Sequence, residues 1–308
     1  MADLSTATVT HPGSTDRQHE VVRLGSARGG WFRRVGWRHL VGVLALVFSI
    51  FPILFVLSSA LNPLGTLASS QLIPSGASFE NFRKVLFDTS FPLWFLNSLI
   101  IGLVSAALSM FVSACAAYAF SRFRFKGRRA GLLAVLLVQM FPALLAIVAL
   151  YLMFAKISDY WPPIGFNTRW GLLLLYLGGA LGTTTWLMKG FFDTIPKDLD
   201  ESAKVDGASH AQIFFGIILP LVAPILAVTG LLGFIGAVNE FLIASIFLTE
   251  DSAKTAAVGL YGLVSEERNN NFGVFAAGSL ILAIPIVALF QFLQRYIVGG
   301  LTAGAVKG

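Results

Sequence analysis

A dense group of charged residues stands at positions 197–206, in the sequence KDLDESAKVD, shortly before an apolar run. Its acidic residues come early, where the positive end of a helix dipole stabilises them. Gly207 then offers a break, and Ser209 can cap a second helix that enters the apolar run. The pattern predicts two short helices joined by a kink, here called the elbow and taken as residues 191–216. These residue types suit either a well-capped loop or a projecting contact for another protein.

Catalytic, metal-binding and nucleotide-binding patterns are missing from the sequence. The single cysteine, Cys115, excludes an internal disulfide and a cysteine metal cluster within one chain, and we expect it to pack between helices. The four histidines are scattered without metal-ligand spacing. No G-x-x-x-x-G-K-S/T phosphate-binding loop occurs, and GLTAGAVKG at the end of the sequence has neither its spacing nor its Ser or Thr. We therefore expect no catalytic residue, no metal site and no cofactor bound by this chain.

Composition places most of the chain in lipid. Charged residues make up only 12% of the 308 residues, against about 25% in soluble domains, and hydrophobic residues reach 56%. Six stretches with few or no ionisable residues are each long enough for a bilayer crossing of about 20 residues. They predict an all-α polytopic membrane protein with six transmembrane helices, at about residues 40–61, 94–118, 131–154, 169–190, 217–240 and 273–295.

The distribution of positive charge orients these helices. Most of the 22 Lys and Arg residues fall on one side of the predicted spans, which the positive-inside rule assigns to the cytoplasm. Both termini and the elbow are therefore predicted to be cytoplasmic, with residues 1–38 as a disordered tail. The apolar sequence of the fifth span is longer than one crossing needs. Residues 241–248 are accordingly predicted to lie at the outer interface, with Glu240 near the outer membrane surface.

The polar residues within the predicted spans are mainly amides and hydroxyls. Such groups either hydrogen-bond to neighbouring helices or line a path for a neutral, hydroxyl-rich solute. Apart from Glu240, which stands at an end, the spans carry no carboxylate or basic residue near mid-membrane, which argues against proton-coupled transport and more weakly against hydrolysis inside the membrane. The candidates are Asn97, Gln139, Thr183, Thr184, Thr185 and Asn239.

The elbow resembles the "EAA" loop of ABC importer permeases. The shared pattern is Glu201-x-Ala203-x-x-Asp206-Gly207-Ala208 followed by Leu219-Pro220, and Ser202 stands where the pattern usually has alanine. Other segments resemble sugar-importer permeases of the maltose-transporter family, so that the resemblance covers residues 40–308. It implies a type I ABC importer permease fold with six transmembrane helices and both termini in the cytoplasm. These other segments are residues 97–128, 139–154, 176–179 and 300–308.

By this resemblance, the elbow is the part of the chain that couples to an ATPase. In the family the loop docks in a cleft of the ATPase subunit, so Glu201 would pair with a basic residue of that cleft. Ala203 would allow close approach, and Gly207 would supply the bend. The implied ATPase-coupling residues are Glu201, Ser202, Ala203, Asp206, Gly207, Ala208, Leu219 and Pro220.

Two further segments receive roles from the resemblance. The C-terminal tail would reach between two ATPase subunits by an extended path that its glycines allow, the alternative being a frayed terminus. Its contact residues would be Gly300, Leu301, Thr302, Gly304, Lys307 and Gly308. The polar loop at 264–273 would reach a sugar-binding protein, although its amides also suit ordinary turns. Its contact residues would be Glu266, Glu267, Arg268, Asn269, Asn270 and Asn271.

The function implied is that of a permease subunit in an ATP-driven importer for maltose- or maltodextrin-type oligosaccharides, in the cytoplasmic (inner) membrane of a bacterium. The implied partners are a second, larger permease subunit, two ATPase subunits that hold ATP and Mg²⁺, an extracytoplasmic sugar-binding protein and membrane lipid, without nucleic acid. The alternatives are an importer for trehalose or another disaccharide, and a stand-alone secondary transporter or channel for neutral solutes. The expected domains are a tail at 1–38, a permease domain at 39–299 and a tail at 300–308.

Overall fold

The computed structural model of the chain describes residues 35–66, 71, 73, 76–266 and 271–305. Over those residues the structure is helical and contains no strand, so the predicted all-α class is confirmed there. The helices are α1 Trp37–Leu61, α2 Glu80–Phe87, α3 Phe91–Arg122, α4 Arg128–Met140, α5 Ala143–Tyr160, α6 Arg169–Thr194, α7 Asp198–Val205, α8 His210–Ile213, α9 Leu219–Leu221, α10 Ala223–Asn239, α11 Leu242–Phe247, α12 Ala256–Glu266 and α13 Phe272–Ala305.

Three of the described helices are long and apolar enough to cross a bilayer unbroken, namely α1, α3 and the part of α13 from Phe272 to Tyr296. Three further crossings result if each of three bent pairs counts as one span. The six predicted apolar stretches coincide with these elements, so a count of six rests on treating each bent pair as a single crossing. The bent pairs are Arg128–Met140 with Leu145–Tyr160, Arg169–Gly179 with Gly182–Thr194, and His210–Leu221 with Ala223–Asn239.

The chain falls into two compact units, residues 1–55 and 56–308. In the first unit the described residues form most of α1, an apolar helix that starts at Trp37 and contains Pro52. Nearly all of the tail predicted at 1–38 lies outside the described residues. The second unit holds every other described helix.

Helix α3 is the centre of the second unit because it packs along both α6 and α10. Its buried side is lined mostly by small residues, which let neighbouring helices approach closely. A Cβ atom on Gly102, for example, would lie 2.8 Å from Val238 Cγ2. The small residues buried along α3 are Ser98, Gly102, Ser105, Ala106, Ser109, Ser113, Ala114, Ala117 and Ser121.

A bend of 78° separates α8–α9 from α10. Pro220 and Pro224 flank it, and neither has the backbone N–H that would continue the helical ladder. Immediately before Pro220, residues 214–218 form a π-helical turn in which the Leu219 N–H donates to the Phe214 carbonyl. The prolines and the wider turn together account for the sharp kink.

Glu240 serves as the cap of α11. Its Oε1 accepts from the Ile243 N–H (2.7 Å), and its Oε2 accepts from the Ala244 N–H (2.9 Å) and the Tyr176 hydroxyl (2.8 Å). The predicted short segment at 241–248 is thus a capped helical turn, and its place at the outer interface stays a prediction. In a different cluster, the expectation that Cys115 packs between helices is confirmed, since the half-buried Cys115 packs against the apolar residues around Tyr118.

Candidate functional site

The first half of the elbow is a short helix with a well-defined end. Helix α7 carries acidic residues in its first turn, as predicted. At its C-terminus the Ala208 N–H donates to the Ala203 carbonyl (2.9 Å) and the Gly207 N–H donates to the Lys204 carbonyl (3.0 Å). These two bonds form a Schellman motif, which requires a left-handed residue after the cap. Gly207 supplies it with φ of 85°, so the predicted kink is confirmed at that residue.

The second half begins with a capping box. Ser209 Oγ accepts from the Gln212 N–H (3.3 Å), and Gln212 Oε1 accepts from the Ser209 N–H (2.8 Å). The predicted N-cap at Ser209 is therefore confirmed, with a second bond that the sequence analysis did not name. The two helix ends that meet at the turn, the C-terminus of α7 and the N-terminus of α8, are thus capped by residues of the elbow itself.

The outward face of the elbow is polar with an apolar centre. Glu201, Ser202 and Asp206 are exposed, and so is Gly207. Val205 is 89% exposed, which is unusual for a β-branched residue beside a membrane core. This face has the mixture of charge, small size and apolar surface that a protein partner can contact. The sequence analysis did not single out Val205, although an apolar residue among charges just before a helix-ending glycine was a usable signal.

The inward face places other predicted residues within the chain itself. Ala203 is buried in the apolar cluster that contains Tyr118 and Phe192, and half-buried Ala208 and Leu219 pack against that cluster. The small size of Ala203 therefore serves close packing inside this chain. Pro220 is exposed at the bend. The eight predicted coupling residues thus divide into an outward set and a set at the base of the elbow.

A buried ion pair joins the elbow to α3. Arg122 Nε lies 2.7 Å from Asp200 Oδ2, and the two side chains are only 4% and 7% exposed. Arg122 Nη2 also donates to the Ile195 carbonyl at the end of α6 (3.1 Å). Next to it, Ser121 Oγ donates to Asp193 Oδ1 (2.7 Å). From the sequence, Arg122 was predicted only as a cytoplasmic charge and Asp200 only as an acid near a helix N-terminus. Asp200 nevertheless precedes buried Ala203 by three residues and so shares its helix face.

Aromatic contacts anchor the second half of the elbow. The Tyr118 ring lies 5.0 Å from that of Phe214 and 6.3 Å from that of Phe192. Ile213 and Ile218 are fully buried in the same cluster. Because these residues come from α3, α6 and the chain that leads into α10, a displacement of the elbow bears on all three helices.

The predicted C-terminal contact residues are helical where they are described. Gly300, Leu301, Thr302 and Gly304 belong to α13, which continues to Ala305. The expected extended path is wrong for residues 300–305, because α13 continues through them. Lys307 and Gly308 lie outside the described residues.

The predicted binding-protein loop is described only at its edges. Glu266 ends α12, a helix that the sequence analysis did not foresee between the fifth and sixth spans. Asn271 directly precedes α13, and its carbonyl accepts from the Phe275 N–H (2.9 Å). Glu267, Arg268, Asn269 and Asn270 lie outside the described residues, so the role of this loop stays a prediction.

Asn97 makes hydrogen bonds between segments of the chain and does not line a path for a solute. Its side chain is fully buried. Its Nδ2 donates to the carbonyls of Ser252 (3.0 Å) and Lys254 (2.9 Å), and its Oδ1 accepts from Arg169 Nε (2.7 Å). This amide ties α3 to α6 and to the segment before α12.

An Asn97→Leu variant is expected to be markedly less stable. Two carbonyls and a guanidinium lose their partner, and each unsatisfied buried group costs about 1–3 kcal/mol. The midpoint of thermal unfolding of the purified chain in detergent should fall clearly. Asn239→Leu is the matched control, since that exposed amide donates only to the Ile235 carbonyl of its own helix (3.0 Å). Equal midpoints for the two variants would contradict this role of Asn97.

Gln139 and Thr183 meet where two bent pairs are broken. The Thr183 hydroxyl donates to Gln139 Oε1, and both side chains are exposed. Gly182 permits the approach, because a Cβ there would lie 2.0 Å from Gln139 Nε2. Nearby, Thr184 is half-buried and Thr185 is buried. Of the polar residues predicted in the spans, Gln139, Thr183 and Asn239 are thus the ones with exposed side chains in the described part of the chain.

Comparison with known proteins identifies the kind of chain that carries this elbow. The family model described as "Binding-protein-dependent transport system inner membrane component" matches residues 109–302, which include the whole elbow. The chain is 40% identical over 278 residues to the galactooligosaccharides transport system permease protein GanQ of Bacillus subtilis, covering 89% of this chain and 96% of that one.

Two further comparisons agree. The chain is 41% identical over 283 residues to the maltose/maltodextrin transport system permease protein MalG of Yersinia pestis, covering 88% of this chain and 92% of that one. Its fold is similar to a crystal structure of a bacterial ABC transporter involved in the import of the acidic polysaccharide alginate, with a TM-score of 0.71 and 22% identity over 88% of this chain and 98% of that one. The chain belongs to the family of inner membrane components of binding-protein-dependent transport systems.

Proposed function

We propose that this chain is the permease subunit of an ATP-driven ABC importer that carries maltose- or maltodextrin-type oligosaccharides across the cytoplasmic membrane of a bacterium. The observation that carries the proposal is the elbow. It is a pair of short helices whose two ends at the turn are capped, it has an exposed contact face, and its base is buried against α3 and α6. A partner in the cytoplasm can displace such an element, and the displacement then reaches α3 and α6 through the buried contacts.

The topology proposed has six spans with both termini and the elbow in the cytoplasm. Three unbroken helices and three bent pairs supply the spans. The positive-inside rule supports the orientation, because the basic segment after α3 and the elbow fall on the same side. The breaks in the bent pairs are tolerable where the backbone lines a cavity or is covered by protein.

The partners proposed are a second, larger permease subunit, two ATPase subunits and an extracytoplasmic sugar-binding protein. ATP and Mg²⁺ would be held by the ATPase subunits, since this sequence has no phosphate-binding loop. The elbow face around Glu201 and Val205 would dock on one ATPase subunit. Electrostatic pairing through Glu201 would set the register of that contact, while apolar packing would supply most of its affinity. The tail at 300–308 would add a second contact and the loop at 266–271 would face the binding protein.

A neutral oligosaccharide fits the polar groups available in the spans. The amide of Gln139 and the hydroxyl of Thr183 can hydrogen-bond to sugar hydroxyls. A galactooligosaccharide is the second candidate substrate, because the GanQ relative is as similar to this chain as the MalG relative is. Trehalose or another disaccharide would suit the same chemistry.

Reconstitution tests the proposal. The chain alone in liposomes is expected to show no flux of labelled maltotriose. Uptake should appear only with the second permease, the ATPase subunits, the binding protein and ATP, because the chain lacks an energy source of its own. Maltotriose uptake by the chain alone would overturn the proposal in favour of a channel or secondary transporter. Competition by unlabelled galactooligosaccharide against maltotriose would decide between the two substrate classes.

A further inference from the structure

The pair Arg122–Asp200 differs from the surface ion pairs of this chain. Arg83 and Glu80 are 59% and 41% exposed, whereas both members of the Arg122–Asp200 pair are almost completely buried. Exposed pairs contribute little to stability, since water and salt screen them. Burial removes the hydration of both charges, and this cost can exceed the attraction between them, so the presence of a buried pair needs another explanation.

The pair lies at a junction of three helices. Arg122 is the last residue of α3, and Asp200 is in the first turn of α7. A cation at a helix C-terminus and an anion at a helix N-terminus are each stabilised by the helix dipole. The bond from Arg122 to the Ile195 carbonyl brings in the end of α6. One guanidinium therefore connects the elbow to two long helices.

Stability alone is a poor explanation for this arrangement. Within the described residues, Arg122 Nε and Nη1 and Asp200 Oδ1 are buried without a hydrogen-bond partner, so the 2.7 Å contact between Nε and Asp200 Oδ2 is an ion pair without a well-directed hydrogen bond. Well-packed apolar side chains can replace a buried ion pair at equal or better stability. In some proteins the role of a buried polar or ionic pair is instead to fix the geometry between the elements that it joins.

We propose that Arg122 and Asp200 are positioning residues of the coupling site, and that their ion pair makes α3 and α6 follow the elbow when an ATPase displaces it. The inference rests on the proposed function. Glu201 and Val205 then form the outer contact of the elbow, and the buried pair forms its inner joint. Without the joint the elbow would still dock, but its movement would be transmitted poorly.

The test uses the complete importer in proteoliposomes, with sugar uptake and ATP hydrolysis measured in the same vesicles. Arg122→Gln and Asp200→Asn are each expected to lower the sugar transported per ATP by about tenfold or more, which corresponds to about 1.4 kcal/mol of coupling. The exchange Arg122→Asp with Asp200→Arg should recover only part of the loss, because it places both charges against the helix dipoles and removes the donor to the Ile195 carbonyl. The apolar pair Arg122→Met with Asp200→Leu should insert normally and remain poorly coupled.

Several outcomes would overturn the inference. One is normal sugar uptake per ATP in the apolar pair, which would show that packing suffices. Another is loss of ATPase subunits from the purified Asp200→Asn complex, which would make Asp200 a docking residue. Arg83→Gln, in an exposed pair, is the control that should leave coupling unchanged. Absence of ATP-dependent uptake by the wild-type complex would contradict the proposed function itself. Normal sugar uptake per ATP in every variant would contradict only the role proposed for the Arg122–Asp200 pair.

Discussion

A Gly207→Pro variant is expected to reach the membrane in normal amount and to lose ATP-dependent sugar uptake. Gly207 has φ of 85°, whereas proline fixes φ near about −65°. The substitution also removes the N–H that donates to the Lys204 carbonyl. The Schellman motif then cannot form, and the angle between α7 and α8 is lost. We expect uptake in proteoliposomes to fall at least about tenfold, because the outward face of the elbow no longer stands at a fixed angle to its base.

Two variants bracket this result. Gly207→Ala meets no atom within 4 Å of its added Cβ, so its cost is only the left-handed backbone, about 1–2 kcal/mol. It should therefore give an intermediate uptake. Gly190→Ala, near the C-terminal end of α6 and also free of close neighbours, is the matched control and should leave uptake intact. Uptake by Gly207→Pro equal to that of Gly190→Ala would remove the elbow from the mechanism.

The second large effect is expected at Gly259 in α12. A Cβ added there would lie 2.1 Å from Trp94 Cε3 and 2.2 Å from its Cδ2. Trp94 cannot easily move away, since it is buried and its Nε1 donates to the Asp251 carbonyl (2.8 Å). Overpacking of this kind costs about 1–3 kcal/mol or more. Gly259→Ala should thus lower the midpoint of thermal unfolding of the purified chain clearly.

Gly236→Ala is the comparison that isolates packing from helix propensity. Gly236 lies in α10 and has no atom within 4 Å of an added Cβ. Alanine there should stabilise the helix by up to about 1 kcal/mol. The two variants make the same chemical change in two helices, yet they should shift the midpoint in opposite directions. A higher midpoint for Gly259→Ala than for wild type would show that α12 does not pack on Trp94 as described.

The sequence predicted local features of the elbow well, because their causes are local. A helix end needs a glycine at one position, and a capping box needs Ser and Gln three residues apart. Gly207 and Ser209 therefore could be assigned their roles without a structure. The six apolar stretches were equally readable, since bilayer thickness sets their length.

Features that depend on distant residues were not predictable in the same way. Arg122 and Asp200 belong to different helices, and no spacing rule pairs them. Helix α12 was missed because the search for spans required about 20 apolar residues, and α12 has 11. Pro142 and Gly178–Gly179 are typical of breaks in a helix. They were not used, because an apolar stretch of this length was taken as one unbroken crossing. The extended tail was wrong because the glycines were weighed without their helix-forming neighbours.

The closed ends of the elbow have a consequence for assembly. The Schellman motif and the capping box satisfy the backbone groups at the turn from within the chain. The helix pair is thus folded before any partner arrives, and docking does not have to order it. In the proposed importer, binding of an ATPase subunit would then lose little conformational entropy, and its rate of association would not be limited by a folding step. The inserted chain would present a preformed docking element to that subunit.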